Sequence, residues 1–265
     1  MYNYANDILR QELISRDRAG FFIILHLHGK KNTAKSPHKI RKSPYTRSWY
    51  NVLINYPKSM NKEIFHFMAV DFKTSETKDN LMRSFAGESQ ARNRYTFAAQ
   101  EAAKQKLHVI EAVFTFTANQ EKEHAQIFYN HLKEMAGETI HIDGGYPVDI
   151  TESITDLLRK AQHNEYEEHD PVYKTFGDKA MEEGFPKIAN SFYQIANIEK
   201  MHGDRFGAFA KLLEENKLFI SDVKTGWICL NCGHTFEGTA APEKCPVCDH
   251  DKGYFIRLSL APYSS

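Results

Sequence analysis

Two copies of Glu-x-x-His, Glu121/His124 and Glu199/His202, sit inside apolar runs. Around the second, Ile188, Phe192, Ile195, Glu199, His202, Phe206, Phe209 and Leu213 follow in steps of four and three, the spacing of one inward helix face. An unpaired carboxylate in such a stripe costs several kcal/mol, so the pair needs a strong partner, and a metal ion is the obvious one. Ile110, Phe114, Thr117, Glu121, His124 and Phe128 repeat the pattern. Ile154, Leu158, Ala161, Glu165, Glu168 and Val172 repeat it with two glutamates, and Leu81, Phe85, Glu88 and Tyr95 with one.

Helices must position these residues, and each stripe carries its acids near mid-length. Folded together, the four mid-points meet at one level. That is the carboxylate-bridged di-metal arrangement of a ferritin-like bundle. Four carboxylate-bearing stripes and two imidazoles suit iron or manganese better than zinc, which prefers a tetrahedral set with fewer oxygens. Glu123, Glu167, His131 and His163 fall off the stripes and are expected in solvent. Tyr95 and Tyr173 fall on them. They are read as donors to a ligating carboxylate, with a plain core tyrosine as the alternative.

The spacing predicts helices over 77–106, 108–135, 151–184 and from 186 to just before Lys217. Ser75 or Thr77 can cap the first, Thr151 or Ser153 the third, and Pro186 opens the fourth. Gly137 stops the second, and Gly144, Gly145 and Pro147 lie in a connection too long for a hairpin of helices. Helices two and three are therefore expected to run parallel across a long crossover.

All four cysteines lie late in the chain, as Cys229/Cys232 and Cys245/Cys248. Two Cys-x-x-Cys hairpins can hold one tetrahedral ion, and Gly233 permits the turn that aims amide N–H groups at sulfur. Spacing alone leaves a zinc ribbon open. This cysteine usage points to a reducing compartment, read as cytoplasmic. Acidic and basic residues balance at 34 each, so charge offers no case for nucleic acid or a membrane surface. The N-terminal apolar run 21–27 is far shorter than the roughly 20 residues of a spanning helix.

Residues 1–67 are basic and acid-poor. Three readings compete there: a disordered extension, a transit peptide, or sequence upstream of a start at Met68. The expected organisation is 1–67 unassigned, 68–218 a mainly α four-helix bundle, and 222–265 a small β-rich metal module.

Three stretches resemble the rubrerythrin family: Gly87-Glu-Ser-Gln-Ala-Arg-Asn-Arg-Tyr95, Asn119-Gln-Glu-Lys-Glu-His124, and Trp227-Ile-Cys-Leu-Asn-Cys-Gly233 with Ala241-Pro-Glu-Lys-Cys-Pro246. The likeness spans about residues 68–260. It implies a rubredoxin-like C-terminal domain with one iron, held by Cys229, Cys232, Cys245 and Cys248. It implies a di-iron centre in the bundle, held by Glu88, Glu121, Glu165, Glu199 and His202, with His124 and Glu168 exchanging at one iron. It further implies a non-haem peroxidase that reduces hydrogen peroxide to water, with Glu168 as proton shuttle and Tyr95 and Tyr173 beside it. Electrons would come from NAD(P)H through a separate reductase or a rubredoxin, because no Gly-x-Gly-x-x-Gly follows a strand. A head-to-tail homodimer or a tetramer is also implied. The competing functions are a ferroxidase or iron-storage protein and a zinc-ribbon interaction protein. The chain departs from the family in Glu168-His169-Asp170-Pro171, where the proline should displace the turn that carries Glu168. His169 is expected at the surface.

Overall fold

The computed structural model describes residues 14–16, 22–24 and 70–262. The readings offered for residues 1–67 lie outside the described residues, apart from one antiparallel strand pair. In it β1 (Ile14–Arg16) pairs with β2 (Phe22–Ile24).

The second unit is mainly α. Helix α1 (Glu76–Lys104) is capped by Ser75, whose hydroxyl accepts from the Lys78 amide. Helix α2 (His108–His131) follows after Lys106, a non-glycine residue in the left-handed region. A 3-10 turn (Lys133–Met135) and Gly137 at φ 87° end this hairpin. Helix α3 (Ile154–Glu167) starts on a Ser153 cap.

The third predicted helix is not continuous. Glu168–Val172 forms a wide π turn before α4 (Tyr173–Glu182). Proline excludes the α region for the residue before it, and Asp170 is accordingly extended at φ −154°, ψ 113°. Helix α5 (Pro186–Glu214) closes the bundle, with Pro186 in its first turn, where a missing N–H costs nothing.

Helix directions follow from their ends. Glu183, just past α4, accepts from the amides of Glu76 and Thr77 at 3.0 and 2.8 Å. A carboxylate there also complements the α1 dipole. So α1 begins where α4 ends, and the two run antiparallel. At the other pair, His131 at the end of α2 bonds Ser191 near the start of α5 at 2.9 Å. Helices α2 and α3 therefore run parallel, joined by the long crossover 136–153. Arg83 holds the crossover at Asp143, and Arg94 holds it at Asp149.

Two apolar layers flank the bundle's middle. One contains Tyr95, Phe114 and Phe206, the other Phe128, Tyr173 and Phe192. The small module is a three-stranded antiparallel sheet in the order β4 (Thr235–Ala240), β3 (Ile220–Cys229), β5 (Phe255–Arg257). Trp227, Phe255, Cys229 and Cys245 form its core. Arg257 ties it to the end of α5 by donating to the carbonyls of Lys217 and Ile220, both at 2.6 Å. Tyr254 stacks on His108 at 4.0 Å between ring centroids, which seats the module on the α1–α2 turn. Among the described residues no helix is long and apolar enough to cross a membrane.

Candidate metal centres

Between the two apolar layers six polar side chains are buried: Glu88 from α1, Glu121 and His124 from α2, Glu165 from α3, Glu199 and His202 from α5. Glu88, Glu199 and His202 are 0% exposed. Their atoms form two groups of four, each with every donor within 4.8 Å of the others. One group is Glu88, Glu121, His124 and Glu199, and the other is Glu121, Glu165, Glu199 and His202. Glu121 and Glu199 belong to both. Glu121 sets one oxygen 2.9 Å from His124 Nδ1 and its other oxygen 2.9 Å from His202 Nδ1. Glu199 does the same from the opposite wall, again at 2.9 Å to each imidazole.

The arrangement fits two metal ions. Both oxygens of Glu121 and Glu199, one oxygen each of Glu88 and Glu165, and Nδ1 of both histidines find no hydrogen-bond partner. Leaving that many buried polar atoms unpaired would unfold a domain of ordinary stability. Two ions held by Glu88, Glu121, His124, Glu165, Glu199 and His202 would give each of these atoms a partner.

Without metal, protons must do this work. Burial, then the charge of Glu199, pushes the Glu88 carboxyl well above the usual range. Burial, then Glu121, does the same to Glu199. Burial alone would lower the His202 imidazole, but the Glu121, Glu165 and Glu199 carboxylates crowded against it take it up to about 12. The two imidazoles in turn outweigh burial at Glu121 and hold it below the usual range.

The outer oxygens of the terminal carboxylates are also bound. The Tyr95 hydroxyl donates to Glu165 Oε1, and the Tyr173 hydroxyl donates to Glu88 Oε1. Each tyrosine thus serves the glutamate of another helix. Beside Glu165, Asn164 donates to Asp149 at 2.8 Å, and Arg94 donates to the same Asp149 oxygen at 2.9 Å. Arg205, one turn after His202, is a further cation close to the cluster. It donates to Thr117 and Gln120 and feels the charges of Glu121 and Glu165.

Glu168 joins neither group of four. It sits half-buried at the start of the π turn, facing a cavity of about 260 Å³. Burial, then the charges of Glu165 and Glu121, raise its carboxyl well above the usual range. His169 departs from the expected surface position. It is half-buried, with Nδ1 on the Ala196 carbonyl at 2.8 Å, because the wide turn folds it against α5. His131 is likewise half-buried through its bond to Ser191. Glu123, His163 and Glu167 are exposed.

In the C-terminal module the four sulfurs converge. Cys229 lies 3.8 Å from Cys248, and Cys232 lies 3.6 Å from Cys245. Metal–sulfur bonds of about 2.3 Å place tetrahedral sulfurs roughly 3.8 Å apart. The two loops repeat one design. Cys229 N donates to His234 O, and Gly233 N to Cys229 O; Cys245 N donates to His250 O, and Asp249 N to Cys245 O. The residue after the second cysteine is left-handed in both, Gly233 at φ 76° and Asp249 at φ 59°. Aspartate is among the few residues that tolerate this region. The His250 amide holds the Cys248 thiol down at about 6, on the way to the thiolate that ligation requires.

Sequence reasoning did not single out Arg94, Asp149, Asn164, Ser84 or Tyr146. Ser84 had a signal, since it lies four residues before Glu88 on the same stripe. Asp149 and Tyr146 had none, because a crossover has no period to read.

This donor set on this scaffold puts the molecule in the class of ferritin-like bundles with a carboxylate-bridged di-metal core, here followed by a rubredoxin-like domain. Comparison with known proteins narrows the class. The rubrerythrin family description matches residues 79–210, and that of the rubrerythrin rubredoxin-like domain matches residues 227–256. The chain is 45% identical over 184 residues to a rubrerythrin of Clostridium perfringens, covering 69% of this chain and 94% of that one. It is 42% identical to rubrerythrin-1 of Clostridium acetobutylicum, covering 71% and 96%. It is 40% identical to a rubrerythrin of Porphyromonas gingivalis, covering 74% and 92%. The chain belongs to the rubrerythrin family. Its cofactors are accordingly a di-iron centre in the bundle and an iron in the four-cysteine module.

Proposed function

We propose that the protein is a non-haem di-iron peroxidase that reduces hydrogen peroxide to water and protects against oxidative stress. The observation that carries this reading is the pairing, in one chain, of a closed core of eight ligand atoms with a separate four-thiol site. The first suits a two-electron centre and the second a one-electron inlet. When bound, the iron pair supplies the two electrons that split the O–O bond, and the thiolate-held iron returns electrons singly.

The chain's own residues do the rest. Reduction of one peroxide consumes two protons and releases two waters. Glu168 faces the cavity, and its raised carboxyl holds a proton for the departing oxygen. The second proton enters through the same cavity. Tyr95 and Tyr173 hold the Glu165 and Glu88 carboxylates in place. Burial, then the facing glutamates, pushes both hydroxyls well above their ordinary value, so they stay protonated donors. Glu168 and His124 are proposed to exchange at one iron between oxidation states.

An electron supply through a separate NAD(P)H-dependent reductase or a rubredoxin completes the cycle. The module rests on His108, and Glu121 lies thirteen residues further along α2, about 20 Å at 1.5 Å per residue. That span favours a head-to-tail homodimer in which one subunit's module serves the other's bundle.

Cys229→Ser tests the division of labour. Chemically reduced variant should be oxidised once by stoichiometric peroxide at the wild-type rate, while steady turnover with reductase is lost. Reduced wild type that consumes no peroxide overturns the reading.

A further inference from the structure

The cavity beside Glu168 has walls more specific than a chance gap. Its floor is Ser84 and Gly87 of α1 and Tyr173 of α4, the residue that bonds Glu88 and so separates the cavity from the donors by one side chain. Ser84 is 3% exposed, and its hydroxyl has no partner among the described residues. Serine in a helix commonly bonds the carbonyl four residues back, and this one does not. A donor–acceptor group buried without a partner beside open space is a place for a small polar guest.

The outer wall is the crossover, and it is anchored. Arg83 donates to Asp143 O and Asp143 Oδ1 at 3.1 and 2.7 Å. Tyr146 donates its hydroxyl to Arg83 O at 3.0 Å. Asp149 is held by Arg94 and Asn164. The Tyr146 ring is thereby fixed over Gly87, where a Cβ would stand 3.7 Å from its edge. Arg83 is the one cation in the lining, and its guanidinium is committed to Asp143 and Asn80. Glu167 and Glu168 also line the space, so anions are disfavoured. About 260 Å³ accommodates roughly eight molecules of water size, at roughly 30 Å³ each.

We propose that this cavity is the substrate port of the bundle, admitting a small, uncharged, hydrogen-bonding molecule, with Ser84 as its polar contact and the Tyr146 ring setting its width. The proposal rests on the peroxidase reading for the identity of the substrate, but its geometry can be tested without it. Tyr146 and Ser84 thereby determine specificity. Neither supplies a proton or an electron.

Three variants of the full chain, loaded with iron and checked for metal content, test this. With dithionite-reduced protein, nitric oxide association followed by absorbance reads access without any peroxide chemistry. Tyr146→Ala should speed it. It should also raise the rate with tert-butyl hydroperoxide relative to hydrogen peroxide by roughly tenfold, the scale at which removing a steric wall changes discrimination. Tyr146→Phe keeps the ring but loses its bond to Arg83 O, and its ratio should fall between wild type and Tyr146→Ala. Ser84→Ala should lower kcat/KM for hydrogen peroxide roughly twofold to tenfold, the range of one lost hydrogen bond. An unchanged nitric oxide rate and an unchanged hydroperoxide ratio in Tyr146→Ala would overturn the port. If wild type consumes no peroxide, the peroxidase reading fails, and the port stands or falls on nitric oxide alone.

Discussion

Tyr95→Phe isolates one hydrogen bond at the centre of the molecule. The ring is 2% exposed and packs on Phe114 and Phe206 at centroid distances of 6.0 and 5.0 Å. Phenylalanine keeps that packing, so no cavity term enters. What disappears is the bond from the hydroxyl to Glu165 Oε1. A hydrogen bond to a charged group contributes about 1.5–3 kcal/mol, and removal leaves a buried carboxylate oxygen unpaired. At about 1.4 kcal/mol per decade, this predicts roughly tenfold to a hundredfold weaker metal binding, the range expected for a residue that supports a ligand. The same loss lowers the midpoint of thermal unfolding of the loaded protein by about 3–12 °C, at roughly 2–4 °C per kcal/mol. Anaerobic ferrous titration against a competing chelator measures the affinity, and calorimetry measures the midpoint. Affinity unchanged alongside a lowered midpoint would make Tyr95 a core residue with no hold on the metal, and the argument from the hydroxyl would be wrong.

If His124 and Glu168 exchange as proposed, Glu168→Gln should retain diferrous metal yet slow oxidation by peroxide, whereas His124→Ala should weaken the diferrous form first. Identical iron ligands in crystals of oxidised and reduced wild type would sink the exchange. Acidification should release the bundle metal. Glu88 and Glu199 are raised by burial, His124 by Glu121 and His202 by the carboxylates around it, so each binds a proton that metal must displace. Apparent affinity should therefore rise with pH by more than one decade per unit, as chelator competition at a series of pH values would show, and a flat profile would refute it.

How much of this could be read without a structure depends on the range over which each feature is set. Helical periodicity is local, so Glu88, Glu121, Glu165 and Glu199 could be placed on inward stripes from spacing alone. The Cys-x-x-Cys loops are local too, and Gly233 announced the first turn, although Asp249 in the second carries no such mark. Pro171 announced a disturbance, but only its consequence in space shows Glu168 at a cavity instead of within either group of donors.

The sequence by itself determined the donors, their level along four helices, and the separate thiol site, because residue type and a period of 3.6 are properties of a single segment. Tertiary structure decided how the donors are shared. Glu121 and Glu199 belong to both groups of four donors, while Glu88 and Glu165 belong to one each. Tyr95 serves the α3 glutamate, and Tyr173 serves the α1 glutamate. These depend on the rotation and offset of one helix against another. Packing of the two flanking aromatic layers and the strap from Asp143 to Asp149 set those offsets, and no single segment encodes them.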